Sequence, residues 1–364
     1  MYPTEKKPEG RKISLPQNVL DAATERISML FDRYENIVYS VSGGKDSTVL
    51  AELVQREASR RGRAVHPFFL DQEAEYESTI EIIRRIMYGK GVIPHWLQCP
   101  VRMTNATSYE EEFLYAWGPG EEWMRAKEPI AITEATGAPD RFYPLIDWFE
   151  RQWGPDTAFL VGLRSEESLN RFGAVTRNPG VDNINWSSKG SGHIVKFYPL
   201  YDWTFEDIWT FIGTEGVPYN RVYDWMWVKG HNIQEMRVSN LVHERAFKIN
   251  ADLQEFEPNT YDRLLKRIKG VHTAALYAKE QTVYQTRKLP PRFKTWRAYR
   301  DFLLDTFTGE RKETFLNRFA GQKESESVFR QQTRQLLIND WENNVPVVQV
   351  GERENPLKKW MDIL

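Results

Sequence analysis

The first two thirds of the chain alternate between short apolar runs and segments in which apolar residues recur every three to four positions. The short runs predict buried strands, and the periodic segments predict amphipathic helices. The predicted strands span residues 37–41, 64–70, 92–97 and 157–161. The predicted helices span residues 16–34, 47–61, 77–88 and 142–152. Because strands that alternate with helices are joined by right-handed crossovers, the pattern predicts an α/β fold with a parallel sheet and with ligands at the carboxyl ends of its strands.

The pattern changes near residue 231, beyond which charged, mainly helical segments replace the strand signals. We therefore predict two domains, with residues 1–230 built around the parallel sheet and residues 231–364 forming a mainly helical domain. The chain has 364 residues, of which 41% are hydrophobic, and this is enough for one large or two modest hydrophobic cores.

Charge and cysteine content restrict the class of protein further. The formal net charge is −2, so the chain as a whole has no electrostatic attraction to nucleic acid or to anionic lipid. The single cysteine, Cys99, rules out an internal disulfide framework, and we find neither a secretory apolar segment nor a run long enough to span a bilayer. These features predict a cytoplasmic protein without a membrane partner.

The segment SGGKDS at residues 42–47 lies between the first predicted strand and the helix that follows it. Paired glycines make a tight turn, and Asp46 and Ser47 are favourable residues at the start of a helix. A strand, a glycine turn and a helix N-terminus direct several backbone N–H groups at one point, which predicts an anion site suited to phosphate. The alternative is a glycine turn that only links the strand to the helix.

Residues 42–47 match neither the P-loop of nucleoside triphosphatases nor the glycine fingerprint of dinucleotide folds. They resemble the S-G-G-x-D-S pyrophosphate loop of the ATP pyrophosphatase (PP-loop) superfamily, whose members cleave ATP between its α- and β-phosphates or bind related sulfonucleotides. Three further segments resemble phosphoadenosine phosphosulfate (PAPS) reductases and the small subunit of ATP sulfurylase: VGLRSEESLNR at 161–171, FYPLYDWTFEDIW at 197–209 and VPYNRVY at 217–223. The resemblance implies an adenine nucleotide alpha hydrolase-like fold.

The resemblance also implies a set of site residues. The expected nucleotide-binding residues are Ser40, Ser42, Gly43, Gly44, Lys45, Asp46, Ser47, Asp71, Gly162, Arg164, Glu167 and Arg171. Within this set, Lys45, Asp46 and Arg164 are the expected catalytic residues. ATP and Mg²⁺ are the expected cofactors, with Asp46 as a metal ligand or, alternatively, a helix cap. Since Arg164 and Arg171 are seven positions apart, a continuous helix would project both from one face toward phosphate or a second anion.

Two aspartates also have structural interpretations. Asp71 ends the second predicted strand, where relatives place residues that meet the nucleoside or a metal, and it is also a candidate helix cap or turn residue. Asp202 belongs to the family segment at 197–209, and it is also a candidate cap for a helix that starts at Thr204, with Trp203 in the core.

The sulfonucleotide reductases that the chain resembles attack sulfur with a cysteine in a C-terminal E-C-G-L-H segment. Nothing in the chain matches that segment, and Cys99 lies before the fourth predicted strand. Because the thiolate forms the covalent intermediate, its loss removes the reaction and favours ATP over a sulfonucleotide as the ligand. A lone cysteine in the context LQCP is more typical of a small buried residue than of an unrelated nucleophile.

Four segments of the C-terminal third carry a second resemblance. They are HNIQEMRV at 231–238, LQEFEP at 253–258, LLKRIKG at 264–270 and TWRAYRDFLL at 295–304. Together they resemble the helical domain of immunoglobulin-binding regulator A-type proteins, which are often encoded on phage or mobile elements beside a ParB-like partner. The resemblance implies a ParB-like protein as a partner of this chain.

Residues 287–300, RKLPPRFKTWRAYR, contain six basic residues, no acidic ones, and three interleaved aromatic residues. Basic charge follows phosphates and aromatic rings stack on bases, so this segment is a candidate nucleic-acid surface. The alternative, which we favour, is an amphipathic helix whose aromatic residues Phe293, Trp296 and Tyr299 face the core at three-residue steps.

Two functions from different classes follow from these observations. The first is an enzyme that binds ATP and transfers its adenylyl group to a second substrate with release of pyrophosphate. The second is a non-catalytic, nucleotide-sensing regulator that acts with a ParB-like DNA-binding partner. Both use the loop at 42–47, and the sequence does not separate them.

Overall fold

A computed structural model describes residues 16–104, 113–176, 180–233, 236–242, 247–268 and 289–337, together with positions 339, 340, 343 and 347. The chain divides into two compact units, residues 1–99 with 126–238 and residues 100–125 with 239–364. The change from one unit to the other falls after Val238, and the domain boundary at residue 230 stays a prediction.

The described residues form eight strands and twelve α-helices. The strands are β1 (Asn36–Ser40), β2 (His66–Leu70), β3 (His95–Leu97), β4 (Val101–Thr104), β5 (Phe113–Ala116), β6 (Thr157–Leu160), β7 (Ser187–Lys189) and β8 (Val195–Phe197). The helices are α1 (Val19–Arg33), α2 (Lys45–Arg61), α3 (Glu77–Met87), α4 (Phe142–Glu150), α5 (Leu169–Thr176), α6 (Phe205–Glu215), α7 (Val222–Val228), α8 (Phe247–Phe256), α9 (Pro258–Arg267), α10 (Trp296–Thr306), α11 (Gly309–Phe319) and α12 (Glu326–Leu337). Within the described part of the chain, no helix combines the length and apolar character that crossing a bilayer requires.

Six strands of the first unit form one sheet in the order β3-β2-β1-β6-β8-β7. The first five strands in this order run parallel, and β7 pairs antiparallel with β8 at the edge. The α/β class with a parallel sheet is therefore confirmed. At the centre, Tyr39 of β1 lies beside Leu160 of β6, so the segments that follow these two strands leave the carboxyl edge of the sheet as neighbours.

The core of the first unit covers both faces of this sheet. Ile37, Val38 and Tyr39 of β1 are all fully buried, which requires packing on both sides of the strand. On one side, Phe149 of α4 stacks on Phe68 of β2 with ring centroids 4.1 Å apart. Burial on both faces therefore explains why the apolar runs predicted as strands form the interior of the sheet.

Helix α6 begins with a capping box in which Thr204 and Asp207 exchange hydrogen bonds. The alternative in which Asp202 caps this helix is wrong, because the Asp202 carboxylate instead accepts hydrogen bonds of 2.7 and 2.6 Å from the guanidinium of Arg26 in α1. Trp203 is 1% exposed, so its expected place in the core is confirmed.

The segment that follows β6 differs from the continuous helix predicted there. A 3₁₀ turn spans Ser165–Glu167, Ser168 has extended backbone, and α5 starts at Leu169. The extended residue interrupts the helical periodicity. The spacing of Arg164 and Arg171 therefore does not place them on one helix face, and this part of the prediction is wrong.

The second unit is mainly helical, as predicted, and it also contains the antiparallel hairpin β4–β5, which the sequence did not predict. Leu304, Phe307, Phe315, Phe319 and Leu336 form a buried apolar cluster among α10, α11 and α12. At the end of α9, the guanidinium of Arg267 donates to Tyr115 O at 2.8 Å and to Glu121 at 2.9 Å. The hairpin segment is therefore held in part by α9, which lies far along the chain.

The basic segment at 287–300 is described from residue 289 onward, and residues 287 and 288 lie outside the described residues. The helix starts only at Trp296, so Phe293 precedes it. Phe293 and Tyr299 lie with ring centroids 4.8 Å apart. This contact favours packing among the aromatic residues, and a nucleic-acid surface stays a prediction.

Candidate functional site

The segment at 42–47, called the loop from here on, makes a tight turn directly after β1. Gly43 has a φ of +67°, and a Cβ at this position would lie 2.7 Å from Thr79 Cγ2. The side-chain amide of Asn220 donates to Gly43 O at 3.2 Å and to Thr79 Oγ1 at 2.8 Å. Backbone conformation and close packing therefore both require glycine here.

Two serines hold the loop together from inside. Ser47 Oγ accepts the Ser42 amide at 3.1 Å, lies 3.1 Å from Ser42 Oγ, and donates to Gly44 O at 3.0 Å. Gly44 is the N-cap of α2, so the turn leads directly into the helix N-terminus. The loop is thus fixed by its own contacts, and such preorganisation favours anion binding.

Lys45, Asp46 and Arg164 form an ion triad at the start of α2. Lys45 Nζ donates to Asp46 Oδ2 at 2.9 Å, and Arg164 Nε donates to Asp46 Oδ1 at 2.5 Å. Both cationic residues are 4% exposed. Burial lowers the pKa of the Lys45 ammonium, and the Asp46 carboxylate acts in the opposite direction. Two buried cations that share one carboxylate leave a net positive charge, which suits an oxyanion.

Gly162 allows the triad to form. It lies between β6 and Arg164, and a Cβ on it would lie 3.0 Å from the carbonyl oxygen of Asp46. The backbone that follows β6 therefore passes directly against the first turn of α2, and this close approach brings the Arg164 side chain to Asp46. The Glu166 carboxylate also lies 3.5 Å from Arg164 Nη1, but 46% of its side chain is exposed, so solvent screens its charge.

Arg171, the second predicted arginine, is not part of the triad. It forms an ion pair with Glu167, and 42% of its side chain is exposed. Its backbone amide donates to Ser168 Oγ at 3.2 Å, at the start of α5. Burial lowers the pKa of the Arg171 guanidinium, and the positive charge of Arg237 lowers it further.

Tyr223 and Asn220 contact the loop, although neither is among the predicted site residues. Tyr223 is buried, and its hydroxyl accepts the Lys45 amide at 3.2 Å. Burial raises the pKa of this hydroxyl. The signal was present in the sequence, since both residues belong to the family segment VPYNRVY at 217–223.

A cavity of about 610 Å³ opens beside the triad, within the first unit. Its size is that of a small-molecule site. The lining residues come from the loop, from the segment after β6, from the start of α6, and from the last residues of the unit: Lys45, Arg164, Ser165, Glu166, Glu167, Ser168, Phe172, Phe205, Glu206, Ile233, Met236 and Arg237. The cavity therefore lies on the β6–β8 side of the loop.

Ser40 is the last residue of β1, and Asp71 directly follows β2. Neither residue lines this cavity. Asp71 is fully buried. Its carboxylate accepts hydrogen bonds from Trp96 Nε1 at 2.7 Å, from Gln98 Nε2 at 2.8 Å and from the Glu73 amide at 2.9 Å. These contacts favour the interpretation of Asp71 as a turn residue, and a role in nucleotide binding stays a prediction for both residues.

The arrangement around Asp46 does not fit a magnesium ion held by the protein. Both carboxylate oxygens face cations, from Lys45 and from Arg164. Across the described ranges, no group of three or more His, Cys, Asp or Glu side chains is placed to hold a metal ion. A magnesium ion bound through Asp46 remains a prediction that this geometry does not favour.

Cys99 is a buried residue, as the sequence indicated. It is 3% exposed, and its Sγ donates to Ile132 O at 3.2 Å. Burial raises the pKa of the thiol, which disfavours the nucleophilic thiolate. The cysteine does not line the cavity beside the triad.

The part of the chain that carries the loop and the triad matches a known protein family. A model described as "Phosphoadenosine phosphosulfate reductase domain" matches residues 36–264, which is more than half of the chain. The chain belongs to this family. A second model, "Domain of unknown function (DUF3440)", matches residues 230–342. The PAPS reductase part of the predicted resemblance and the adenine nucleotide alpha hydrolase-like fold are thereby confirmed.

Individual relatives match more than half of the chain. The uncharacterized protein YbdN of Escherichia coli is 28% identical, and the match covers 85% of this chain and 80% of YbdN. Adenosine 5′-phosphosulfate reductase 2 of Bacillus subtilis is 25% identical over 58% of this chain and 78% of its own.

Two solved structures superpose on part of the PAPS reductase-like chain. A PAPS reductase from Candida auris has a TM-score of 0.31 and 16% identity over 59% of this chain and 94% of its own. Candida glabrata FMN adenylyltransferase, in complex with FMN and an ATP analogue, has a TM-score of 0.36 and 13% identity over 63% of this chain and 70% of its own. At these scores, neither superposition adds to the family assignment.

Proposed function

We propose that the chain binds ATP at the loop and transfers its adenylyl group to a second substrate, with release of pyrophosphate. The observation that carries this proposal is the buried triad of Lys45, Asp46 and Arg164 beside a cavity at the carboxyl edge of the sheet. A triad of net positive charge next to a helix N-terminus suits the polyphosphate of a nucleotide.

In the proposed reaction, an oxygen of the second substrate attacks the α-phosphorus of ATP. The bond between the α-phosphorus and the oxygen that bridges to the β-phosphorus breaks, and its electron pair leaves with pyrophosphate. Lys45 and Arg164 neutralise the charge that develops on the leaving group, and the loop amides orient it. Magnesium commonly accompanies nucleotide phosphates and supplies further charge neutralisation; no step above depends on it.

Several relatives carry the name adenosine 5′-phosphosulfate reductase, so a sulfonucleotide is the competing ligand. Reduction of a sulfonucleotide requires a thiolate at the bound sulfur. Cys99 is the only cysteine of the chain, and it is buried outside the cavity with a raised pKa. This observation supports ATP as the ligand.

The finer family placement is also a proposal. The similarity to YbdN covers 85% of the chain, DUF3440 matches residues 230–342, and the segments at 231–304 resemble immunoglobulin-binding regulator A-type proteins. We infer that the chain belongs to that subset, with a ParB-like partner. Co-purification with the product of a neighbouring ParB-like gene would test the partner directly.

Two measurements test the proposed function. Calorimetry with ATP, adenosine phosphosulfate and PAPS is expected to show tighter binding of ATP, and thiol-dependent release of sulfite from a sulfonucleotide would overturn this choice. Incubation with α-labelled ATP and candidate acceptors is then expected to give pyrophosphate and an adenylated product. Binding of ATP without pyrophosphate release under all these conditions would favour the nucleotide-sensing regulator instead.

A further inference from the structure

Arg237 differs in its partners from the other cationic residues in and near the cavity wall. Lys45 and Arg164 share Asp46, and Arg171 is paired with Glu167. The Arg237 guanidinium instead donates through Nη2 to the backbone oxygen of Glu167 at 2.9 Å. Among the contacts of the described residues, no Asp or Glu side chain is paired with Arg237. An arginine without a counter-charge at a cavity is suited to bind an oxyanion ligand.

The cavity that Arg237 lines also has apolar lining residues. Phe172, Ile233 and Met236 line the same cavity, and Ile233 and Phe172 expose 42% and 38% of their surface. Exposed apolar side chains at a cavity favour the burial of an apolar ligand group. The cavity wall therefore includes one guanidinium that binds a backbone oxygen and three apolar side chains.

The backbone that carries Arg237 approaches the loop. The Tyr223 hydroxyl accepts the Lys45 amide at 3.2 Å. Burial raises the pKa of this hydroxyl, and the backbone of Val238, next to Arg237, acts in the opposite direction. The positive charge of Arg237 also acts on the loop. It helps to lower the pKa of Lys45, for which burial is the largest cause.

We propose that Arg237, with Phe172, Ile233 and Met236, forms the acceptor subsite, and that the acceptor is a carboxylate with an apolar body. This inference rests on the proposed function and specifies its second substrate. Arg237 holds one carboxylate oxygen, and the other oxygen attacks the α-phosphorus of ATP. The α–β phosphoric anhydride bond breaks, pyrophosphate leaves with the electron pair, and the product is an acyl adenylate. The acceptor is already deprotonated, so the step releases no proton.

The same guanidinium chemistry would also suit the β- and γ-phosphates of the nucleotide, and the test separates these two sources of the anion. The probes are phenylacetate and its neutral isostere phenylacetamide, titrated into the full chain saturated with α,β-methylene-ATP. The variants are Arg237→Gln and the control Arg33→Gln, which changes an exposed arginine at the end of α1. Thermal unfolding of each variant checks that the fold is kept.

We expect the parent chain and Arg33→Gln to bind phenylacetate at least tenfold more tightly than phenylacetamide. Arg237→Gln is expected to lose this discrimination, while its affinity for the ATP analogue falls less than threefold. Sulfate and phosphate, which lack an apolar body, are expected to compete weakly with phenylacetate. With ATP, phenylacetate is expected to increase pyrophosphate release in the parent chain.

Three results would overturn the proposal. The first is equal binding, or no binding, of phenylacetate and phenylacetamide by the parent chain. The second is discrimination that Arg237→Gln retains. The third is a loss in Arg237→Gln that falls on the ATP analogue as strongly as on phenylacetate, which would assign the guanidinium to the nucleotide phosphates. Carboxylate discrimination without any pyrophosphate release would instead leave the subsite standing and contradict the proposed catalysis.

Discussion

Arg164 Nε donates a hydrogen bond of 2.5 Å to Asp46 Oδ1, although 118 residues separate the two along the chain. The contact joins the segment after β6 to the loop after β1, the two neighbouring central strands. The two predicted arginines therefore differ in burial and in partner. Arg164 is buried in the triad, whereas Arg171 is paired with Glu167 and partly exposed.

Arg164→Ala is therefore expected to weaken ATP binding at least tenfold, or on the order of 1.4 kcal/mol, since it removes a charge-assisted contact in a buried site. Arg171→Ala is expected to weaken it less than threefold, because a partly exposed ion pair contributes little. Nucleotide titrations by calorimetry measure both effects.

The control for these variants is Arg33→Ala. Arg61, the last residue of α2, is unsuitable as a control because it forms ion pairs with Asp32 and Glu57. If Arg164→Ala and Arg33→Ala bind ATP like the parent chain, the arginine of the triad does not meet the nucleotide.

Lys45→Ala is expected to reduce ATP affinity at least tenfold, because it removes the buried ammonium of the loop. Asp46→Ala is expected to reduce the rate of pyrophosphate release at least tenfold, since Lys45 and Arg164 lose the carboxylate that fixes their positions. Calorimetry and a pyrophosphate assay measure the two quantities. Unchanged binding and turnover in both variants would reduce the loop to a structural link between β1 and α2.

Tyr223→Phe is expected to lower ATP affinity about tenfold, because the buried amide of Lys45 loses its acceptor. The matched control is Tyr39→Phe, which removes another buried hydroxyl, one that accepts from Gln55 at 2.8 Å. The control should lower the free energy of unfolding without changing ATP affinity. Equal effects of the two variants on ATP affinity would show that Tyr223 has no particular connection to the loop.

Gly43→Ala is expected to destabilise the fold by about 1–3 kcal/mol and to abolish tight ATP binding, because φ is +67° and the new Cβ would meet Thr79 Cγ2. The double variant with Thr79→Ser removes that methyl group, so it should recover part of the stability while the backbone strain remains. Thermal unfolding and nucleotide titration measure the recovery. A single variant as stable and as active as the parent would contradict the geometry of the turn.

His66 and His95 predict a dependence of stability on pH. Their ring nitrogens lie 3.1 Å apart at the amino ends of β2 and β3. Burial lowers the pKa of His66, while burial and then the charge of His66 lower the pKa of His95 to about 4. The folded chain thus keeps both rings neutral at pH values where the unfolded chain binds protons. Stability is therefore complete above about pH 6.5 and is lost as the pH falls toward 4.

His95→Gln is expected to lose less stability than the parent chain as the pH falls. Between pH 7 and pH 4.5, the two losses should differ by on the order of 1 kcal/mol. This is less than the full pKa shift of His95 would give, because the rings are only half-buried. The exposed His193→Gln is the control. Denaturant unfolding at several pH values gives the curves. Parallel curves for the parent chain and His95→Gln would exclude the histidine pair as their source.

The sequence predicted the elements whose residues are buried on both faces, because continuous apolar runs such as the one at 37–41 have few alternatives. It did not predict β7, β8 or the hairpin β4–β5, whose pairing depends on distant partners rather than on local pattern. The same limit applies to the site. The loop is local and readable, whereas Tyr223 and Arg237 reach it only through the tertiary fold.

The pairing of β1 with β6 also sets the order in which the site can form during synthesis. A ribosome completes residues 42–47 well before it makes β6, so on the nascent chain Asp46 has Lys45 as a neighbour but not Arg164. Closing the long connection between the two strands costs chain entropy that only the finished pair offsets. Until residues 157–164 have left the exit tunnel, the triad lacks one of its two cations. The nascent chain is therefore expected to bind nucleotide only after the sheet has closed around its central pair.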